Sequence, residues 1–286
     1  MLAGDPGTVN QCLCVNHENP KLMLEALELD LDSKELMGKL VCSIDNVDCC
    51  ISDCAECPED DALYEYLMEN IPDEQVTYSE WVSIPEEGTQ LVKTTQHITE
   101  FIPKLIGHLK KLVTHRFINK SQNEYSKKLK NELREKECIL LMDFAENYSS
   151  VTQNEIQAGY FWKKQHTLHP FVIYYRRENG GVKHKSYCVL SDYLKHDAES
   201  VHTFIKELIP KLKDLIQGLE KIHIFSDGGP AHYKNKYNFA NLSFFVKEYD
   251  IKVEWNFWAP GHGKNACDWW YWWINETPLS LGFAAR

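Results

Sequence analysis

The stretch Cys138-Ile-Leu-Leu-Met-Asp143 reads as a buried β-strand that ends in an acid. Five nonpolar residues in a row predict a strand that is covered on both faces. A carboxylate at the end of such a strand is costly to bury unless it is paired or binds a metal ion. The pattern recurs at Ile222-His-Ile-Phe-Ser-Asp227. A third acid, Asp268, follows the apolar run 253–259 and a short Gly-His-Gly-Lys loop.

These three acids share a chemical interpretation. Carboxylates from separate elements can converge on one point and hold two divalent metal ions for phosphoryl transfer. We therefore predict that Asp143, Asp227 and Asp268 are catalytic residues that bind magnesium or manganese. The alternatives are structural, because Asp143 could cap the turn that follows it and an Asp-Gly pair is a common turn dipeptide. Glu146 is close enough to Asp143 to be a helper or a decoy.

The region around the acids has a readable order of elements. The segment Glu178-Asn-Gly-Gly181 predicts a hairpin, and Asp197 or Ser200 can cap the helix that begins near Ala198. Predicted strands cover about residues 138–143, 169–177, 182–190, 221–226 and 251–258, and predicted helices cover about 198–219 and 236–249. Three strands followed by alternating helices and strands predict an α/β fold with a mixed five-stranded sheet flanked by helices.

Polar residues beside the acids are candidate phosphate ligands. The segment His232-Tyr-Lys-Asn235 follows Asp227 at the sheet edge where open α/β sheets bind ligands. The loop before Asp268 is expected to lead into a helix N-terminus, which favours anions. We predict four phosphate or DNA contacts at these positions: Lys234, Asn235, His262 and Lys264. Positioning of the loop is the alternative role for the first two.

Seven of the ten cysteines fall within the first 57 residues. The pair Cys54-x2-Cys57 has the spacing of zinc thiolates. We predict one structural zinc site, with Cys50 as the alternative to its second member: Cys42, Cys49, Cys54 and Cys57. We also predict that Cys12, Cys14 and His17 form part of a second zinc site or share in a cross-braced one. Buried or reactive thiols in a reducing compartment are the alternative.

Six further histidines lack ligand-like spacing, and we interpret them as ordinary residues: His97, His108, His115, His166, His169 and His202. Residues 1–60 are predicted to be a zinc-binding module, because so short a segment buries little core and depends on metal for folding.

Charge divides the chain. Residues 1–103 hold 22 acidic and 4 basic side chains, whereas residues 104–137 hold 4 acidic and 10 basic ones. We predict that residues 61–137 are an acidic linker, with one helix near 61–70, followed by a basic helical region from about Leu91 to Glu137. The basic helix is a solvated face or a contact to the DNA backbone. The acidic N-terminal part favours protein partners over DNA.

No apolar run of about 18 residues and no basic-then-apolar leader is found, which argues against membrane spanning and secretion. We expect a nuclear protein. The sequence also lacks a Gly-x-Ser-x-Gly segment and a phosphate-loop Gly-Lys-Ser/Thr pattern, so it does not favour hydrolase or nucleotide-driven activities of those types.

Three motifs in this order carry a resemblance to a known group of proteins: Met142-Asp-Phe-Ala-Glu-Asn-Tyr148, Ser226-Asp-Gly-Gly-Pro-Ala-His-Tyr-Lys-Asn235 and His262-Gly-Lys-Asn-Ala-Cys-Asp268. The chain resembles transposon-derived eukaryotic proteins that join a Cys/His zinc module to an integrase-like transposase domain of the DDE/DDD type. The resemblance covers about residues 12–268. It implies an RNase-H-like fold over residues 138–286, with one acid on the first strand, one past the fourth and one on the helix after the fifth.

The resemblance implies a polynucleotidyl transferase or nuclease that acts on DNA with divalent metal. A catalytically inactive, domesticated derivative that binds DNA or protein in the nucleus is the second hypothesis, and a nuclease on RNA–DNA hybrids is the third. In the similar proteins a Gly-rich, basic stretch follows the third acid, whereas this chain continues with Trp269-Trp-Tyr-Trp-Trp273. Core packing of the tryptophans and a divergent domain that is shortened at its C-terminus are the two alternatives. Association with further copies of the chain is compatible with this class.

Overall fold

The structure is a computed structural model that describes residues 14–29, 32–149, 165–177, 180–259 and 267. The chain divides into two compact units, Met1–Asn123 and Glu124–Arg286, which are called the first and the second unit. In the part of the chain that the structure describes, no helix is long and apolar enough to cross a membrane.

The first unit combines helices with one antiparallel β-hairpin. Its elements are α1 (Val15–Glu25), α2 (Ser33–Leu40), α3 (Val47–Cys50), α4 (Asp60–Asn70), β1 (Gln75–Ile84), β2 (Gly88–His97) and α5 (Ile98–Glu132), the last of which continues into the second unit. Two of the short helices begin at side-chain caps, because Asp32 accepts a hydrogen bond from Lys34 N and Asn46 accepts one from Asp48 N.

One apolar stripe of α5 organises the core of the first unit. Phe101, Ile102 and Leu105 are fully buried and recur at helical spacing, together with Ile106 and Leu109. They pack in one cluster with apolar residues of α1, α2, α4 and β1. Residues on both sides of the predicted module boundary at residue 60 therefore share a single core.

The hairpin β1–β2 corrects the prediction of an acidic linker followed by a helix from Leu91. Residues 75–84 pair with residues 88–97, and the helix begins at Ile98. Val76 and Tyr78 face the core in strand alternation, and Glu80 is the next inward residue. The acid Glu80 at an inward position interrupts the apolar alternation by which a strand is predicted from sequence. The structure accommodates it because Lys104 forms an ion pair with Glu80 and His108 Nε2 lies 3.6 Å from its carboxylate.

The second unit contains a mixed sheet that is flanked by helices. Its elements after α5 are β3 (Glu137–Met142), β4 (Tyr148–Ser149), β5 (Gln165–Arg176), β6 (Val182–Ser191), α6 (Ala198–Leu215), β7 (Lys221–Ser226), α7 (Lys236–Tyr249) and β8 (Lys252–Phe257). The strand order is β4-β5-β3-β7-β8, and β6 also pairs with β5. Strand β3 is antiparallel to β5 and parallel to β7, and β7 is parallel to β8.

Side chains of β3 alternate between two apolar clusters. Leu140 and Met142 pack with the buried face of α6, whereas Ile139 and Leu141 pack with Leu133 and neighbouring residues on the other side. All four are buried, which explains the uninterrupted apolar run in the sequence. The prediction of a mixed sheet between helices is confirmed.

Two details of the predicted sheet need correction. The two-residue strand β4 adds a sixth strand in the described residues, and α6 ends at Leu215 rather than Leu219. Asp197 caps α6, because its side chain accepts a hydrogen bond from Ser200 N. In return, Asp197 N donates a hydrogen bond to Ser200 Oγ. Both residues proposed as the cap therefore contribute to one capping box.

Candidate metal centres and the acidic sheet edge

Four sulfur atoms converge in the first unit, and they belong to the predicted zinc ligands Cys42, Cys49, Cys54 and Cys57. All four lie within 4.8 Å of one another. Zinc–sulfur bonds of about 2.3 Å in a tetrahedron place the sulfurs about 3.8 Å apart, so small side-chain movements suffice to enclose an ion. Four soft thiolate donors are a ligand set that suits zinc. The cluster could therefore hold a metal ion such as zinc.

The loop after α3 brings the last two cysteines back toward the first two. The backbone N–H groups of Asp53 and Cys54 donate to Asp48 O at 2.8 Å and 3.2 Å, and Ser52 adopts a left-handed conformation with φ of 65°. These contacts reverse the chain within a few residues of the helix. This tight turn allows cysteines at this sequence spacing to converge.

Of the two adjacent cysteines at the end of α3, only one lies in the four-cysteine cluster. Cys49 is in the cluster, whereas the thiol of Cys50 contacts the backbone carbonyl of Ile44 at 3.3 Å. Both side chains are buried, so exposure does not distinguish them. Cys49 is therefore the ligand candidate, as predicted, and Cys50 is a core residue.

The sulfurs influence one another strongly. Burial, followed by hydrogen bonds from Cys54 and Cys57, raises the pKa of Cys49 to about 12. The pKa of Cys57 lies below its ordinary value, chiefly because the backbone of Cys42 hydrogen-bonds to its sulfur. Thiols at this spacing cannot all ionise at neutral pH unless a cation lies among them, which is the situation that a bound metal creates.

A second group of metal-ligand atoms comprises Cys14, His17 and His115. Cys14 and His17 lie together, as the sequence predicts, and Cys12 lies outside the described residues. His115, which the sequence analysis interprets as an ordinary histidine, joins this group, because its Nε2 lies 3.2 Å from Cys14 Sγ. No spacing rule could reveal it, since 101 positions separate the two residues. The one available signal is a histidine among the buried apolar positions of an amphipathic helix.

In the second unit, Asp143 and Asp227 lie at one edge of the sheet. Leu141 and Phe225 are register partners on the parallel strands β3 and β7, and each acid follows its partner residue by two positions. Both acids are partly exposed. Asp143 Oδ1 accepts a hydrogen bond from Phe144 N at 2.8 Å. The two carboxylates thus occupy equivalent places at the carboxyl ends of neighbouring strands. Glu146 is exposed.

His232 is the side-chain partner of Asp227. Its Nε2 lies 3.3 Å from Asp227 Oδ1, which also accepts a hydrogen bond from Gly229 N at 3.0 Å. Burial raises the pKa of Asp227, but these hydrogen bonds outweigh burial and hold the pKa below its usual range. A Cβ at Gly229 would collide with the His232 ring. The absence of a side chain at Gly229 therefore allows the His232 imidazole to contact the Asp227 carboxylate. This role is more specific than that of a glycine in an ordinary turn.

Phe144, the residue after the first acid, is the centre of an aromatic cluster. Its ring stacks on His196 with a centroid distance of 4.1 Å and meets the edge of His169 at 4.6 Å. His169 Nε2 in turn lies 3.0 Å from the hydroxyl of Tyr233. These contacts connect the motif after β3 with the motif after β7 and fix the backbone beside both acids. Burial lowers the pKa of His169 to about 3, so this histidine is neutral.

Of the four predicted phosphate contacts, two are among the described residues, namely Lys234 and Asn235. Asn235 caps α7, since its Oδ1 accepts hydrogen bonds from Tyr237 N and Asn238 N. This cap positions the loop, which is the alternative role that the sequence left open, and the phosphate contact of Asn235 stays a prediction. Lys234 lies over the Phe257 ring, with Nζ 5.5 Å from the centroid. Asp268, His262 and Lys264 lie outside the described residues. Cys267, directly before Asp268, is buried among Phe225 and Trp258.

Several basic residues of α5 have acidic partners within the first unit. Lys110 and Lys120 lie 2.7 Å and 2.6 Å from carboxylate oxygens of Asp60 and Asp45. Such exposed pairs contribute little to stability, but they reduce the positive charge that the helix presents. The basic stretch is therefore a weaker candidate for a DNA contact than its composition indicates.

The described residues define a mixed α/β protein with a four-cysteine cluster in its first unit and an acidic sheet edge in its second. The family model described as "Domain of unknown function (DUF8701)" matches residues 122–270, more than half of the 286-residue chain. The chain belongs to this family. A further model, "Domain of unknown function (DUF8700)", matches residues 15–113. No curated protein and no solved structure matches the chain.

Proposed function

We propose that the second unit is an RNase-H-like domain that acts on DNA phosphodiester bonds with divalent metal, in the manner of a transposase or integrase. The observation that carries the proposal is the equivalent placement of Asp143 and Asp227 after register partners of two parallel strands. Open α/β sheets bind ligands at this edge, and a pair of carboxylates is suited to magnesium or manganese.

The sheet topology supports the proposal independently of the acids. Strands β6, β5 and β3 form an antiparallel series in spatial order, and β7 and β8 extend it in parallel with β3. Without the two-residue β4, Asp143 follows the first strand of this unit and Asp227 follows the fourth, which are the positions that the resemblance implies for two of the acids. The prediction of the third acid, Asp268, stays a prediction.

Each residue has a defined role in the proposed mechanism. Asp143 and Asp227 would hold the metal ions, whose chemistry when bound would be to activate a water or a DNA 3′ hydroxyl and to stabilise the leaving oxygen. His232 orients Asp227 through its hydrogen bond, and Gly229 leaves space for that imidazole. Phe144 and Tyr233 anchor the two loops from which the acids project. His232 is thus a positioning residue.

The first test is titration of the full chain with manganese in a calorimeter. We expect saturable binding that Asp143→Asn and Asp227→Asn each abolish. Asp214→Asn is the matched control, because Asp214 is an exposed acid on α6 away from the sheet edge. Binding that survives both substitutions at the edge would contradict the assignment. Manganese-dependent cleavage or strand transfer on labelled DNA, lost in the same two variants, is the expected activity.

A second candidate function is a metal-dependent binding module without catalysis. The observation that favours it is the four-cysteine cluster within a strongly acidic unit, a combination that suits a protein partner better than DNA. The experiments above separate the two functions. A folded, zinc-containing protein that takes up no manganese would support the binding module, in which the domesticated descendant of a transposase retains only its interactions.

A further inference from the structure

We propose that Cys14, His17 and His115 bind a second zinc ion, distinct from the ion of the four-cysteine cluster. The proposal adds a ligand that lies far from the cysteine-rich segment in the sequence and gives the first unit two metal sites. It does not depend on the proposed DNA chemistry of the second unit.

The start of α1 fixes the first two ligands. Cys14 is the N-cap residue, and its carbonyl accepts hydrogen bonds from His17 N and Glu18 N, both at 2.9 Å. The first turn of the helix therefore places Cys14 and His17 on one side, three residues apart. Cys14 makes no side-chain hydrogen bond to the helix N-terminus, so its sulfur is directed elsewhere.

The third ligand comes from α5. His115 is a buried polar residue with 5% exposure, yet its ring is directed at a sulfur rather than packed against aliphatic side chains alone. Cys14 Sγ lies 3.2 Å from His115 Nε2 and 3.2 Å from His17 Nδ1. The two imidazole rings have centroids 5.0 Å apart and an interplanar angle of 71°.

These distances are close to those of a zinc shell. A zinc–sulfur bond of about 2.3 Å and a zinc–nitrogen bond of about 2.0 Å, at the tetrahedral angle, place sulfur and nitrogen about 3.5 Å apart. One soft thiolate with two imidazoles is a donor set suited to zinc. Three protein ligands leave a fourth position in the tetrahedron.

Hydrogen bonding alone accounts for the convergence less well. A thiol carries one hydrogen, so it can donate to only one of the two nearby imidazole nitrogens, and the other must act as a donor to a weak sulfur acceptor. A metal ion accepts lone pairs from the sulfur and both nitrogens at once. One metal ion therefore binds the three converging atoms more strongly than two weak sulfur hydrogen bonds do.

Asn16 would act as a positioning residue for this site. Its side-chain amide nitrogen lies 3.4 Å from His115 Nδ1. Coordination through Nε2 leaves the hydrogen on Nδ1, so metal binding requires an acceptor there. Rotation of the Asn16 amide by half a turn supplies its oxygen as that acceptor. Metal-binding histidines typically donate their second ring N–H in this manner.

The decisive measurement is the zinc content of the purified full chain. We expect two zinc ions per chain in the wild type, and one in Cys14→Ser, in His115→Gln and in Cys54→Ser. Two matched controls should keep both ions. Cys50→Ser alters a cysteine next to a ligand, and His108→Gln alters another inward histidine of α5, which contacts Glu80 instead. One ion in the wild type, unchanged by His115→Gln and lost in Cys54→Ser, would overturn the proposal.

X-ray absorption at the zinc edge tests the ligand types, and on the wild type it requires no variant to fold. The wild-type spectrum should contain imidazole scattering as well as sulfur, and the ion left in Cys54→Ser should show both nitrogen and sulfur ligands. The ion left in His115→Gln should be bound by sulfur alone. Wild-type zinc with an all-sulfur shell would show that the histidines do not coordinate it and would overturn the proposal.

Discussion

The two units build their candidate sites in different ways. In the second unit, Asp143 and Asp227 lie where they do because β3 and β7 are hydrogen-bonded in register, so the sheet itself fixes the site. In the first unit, the sulfur atoms converge from short helices and turns, and α3 has only 4 residues. Helices of this length are not stable alone, so an ion bound by the four cysteines would help to hold them.

The hydrophobic cores of the two units also differ in whether they include the candidate metal ligands. The second unit packs long apolar runs on both faces of a sheet, and strands such as β3 are almost entirely buried. In the first unit, Cys49 and Cys50 are themselves members of the core cluster, and Cys54 and Cys57 pack against it. Loss of the metal would therefore disturb the packing of the first unit directly, whereas the sheet has no such dependence.

Removal of zinc should give the largest effect and should affect only one of the two units. Structural zinc contributes on the order of 10 kcal/mol in small domains, comparable to the whole stability of many proteins. We expect that a strong chelator abolishes amide protection in α2 and α3, while β3 and β7 keep theirs. Hydrogen exchange resolved by region measures this in the full chain.

The matched pair for that experiment is Cys49→Ser and Cys50→Ser. The two residues are adjacent and both are buried, but only Cys49 belongs to the cluster. Cys49→Ser should abolish the protection of α2 and α3 as the chelator does, and Cys50→Ser should retain zinc and protection. Equal loss of protection in both units after chelation would refute the contrast between them.

The parts of the fold that were predictable are those with uninterrupted or regular patterns. The strands around Asp143 and Asp227 follow from runs of consecutive apolar residues, and the cap of α6 follows from residues that prefer this position. The hairpin β1–β2 has no clear sequence signal, because its inward-facing series includes Glu80 and its second strand is rich in Thr and Gln. Tertiary contacts to Lys104 and His108, which a local pattern does not contain, make that strand stable.

The difference between local patterns and tertiary contacts also explains why one candidate metal site was easier to predict than the other. Local spacing was sufficient for Cys54 and Cys57, because both ligands lie in one loop. It failed for His115, whose partner Cys14 lies on another helix. For His232 the signal was present, since it follows Asp227 by five positions in a Gly-rich turn. Its exact partner depends on the path of that turn.

A core substitution in the sheet should have an intermediate effect and the opposite regional pattern. Leu140 on β3 is fully buried, and its truncation in Leu140→Ala should lower the free energy of unfolding of the second unit by about 2–5 kcal/mol. Among the described residues, Trp255 and Trp258 lie in this unit and Trp258 is buried, so tryptophan fluorescence in a urea titration reports on the unfolding of the second unit.

The zinc content of Leu140→Ala should be unchanged. The control is Leu190→Ala on β6, because that side chain is 44% exposed and its truncation should change stability by at most about 0.5 kcal/mol. Loss of zinc in Leu140→Ala at a urea concentration where the first unit stays folded would show that the two units are not independent in this respect.

The smallest expected effect is electrostatic and lies on β8. Glu254 accepts hydrogen bonds from the hydroxyl of Tyr125 at 2.5 Å and from Lys221 Nζ at 2.9 Å. Burial raises the pKa of Glu254, but the hydrogen bonds from Tyr125 and then Lys221 outweigh it and lower the pKa from 4.5 to about 2. The carboxylate therefore stabilises the second unit above the unfolded-state pKa. That contribution is lost as the pH falls from about 4.5 toward 2.

Glu254→Gln should reveal this contribution as a pH-dependent difference from the wild type. The side chain is 35% exposed, so solvent screening limits the expected destabilisation at pH 7 to about 1 kcal/mol. The difference should shrink in urea titrations at successively lower pH between about 4.5 and 2, because the wild-type carboxylate becomes protonated. Glu207→Gln, at an exposed position of α6, should show no such trend. A difference for Glu254→Gln that stays constant over this range would mean that its hydrogen bonds do not depend on the charge.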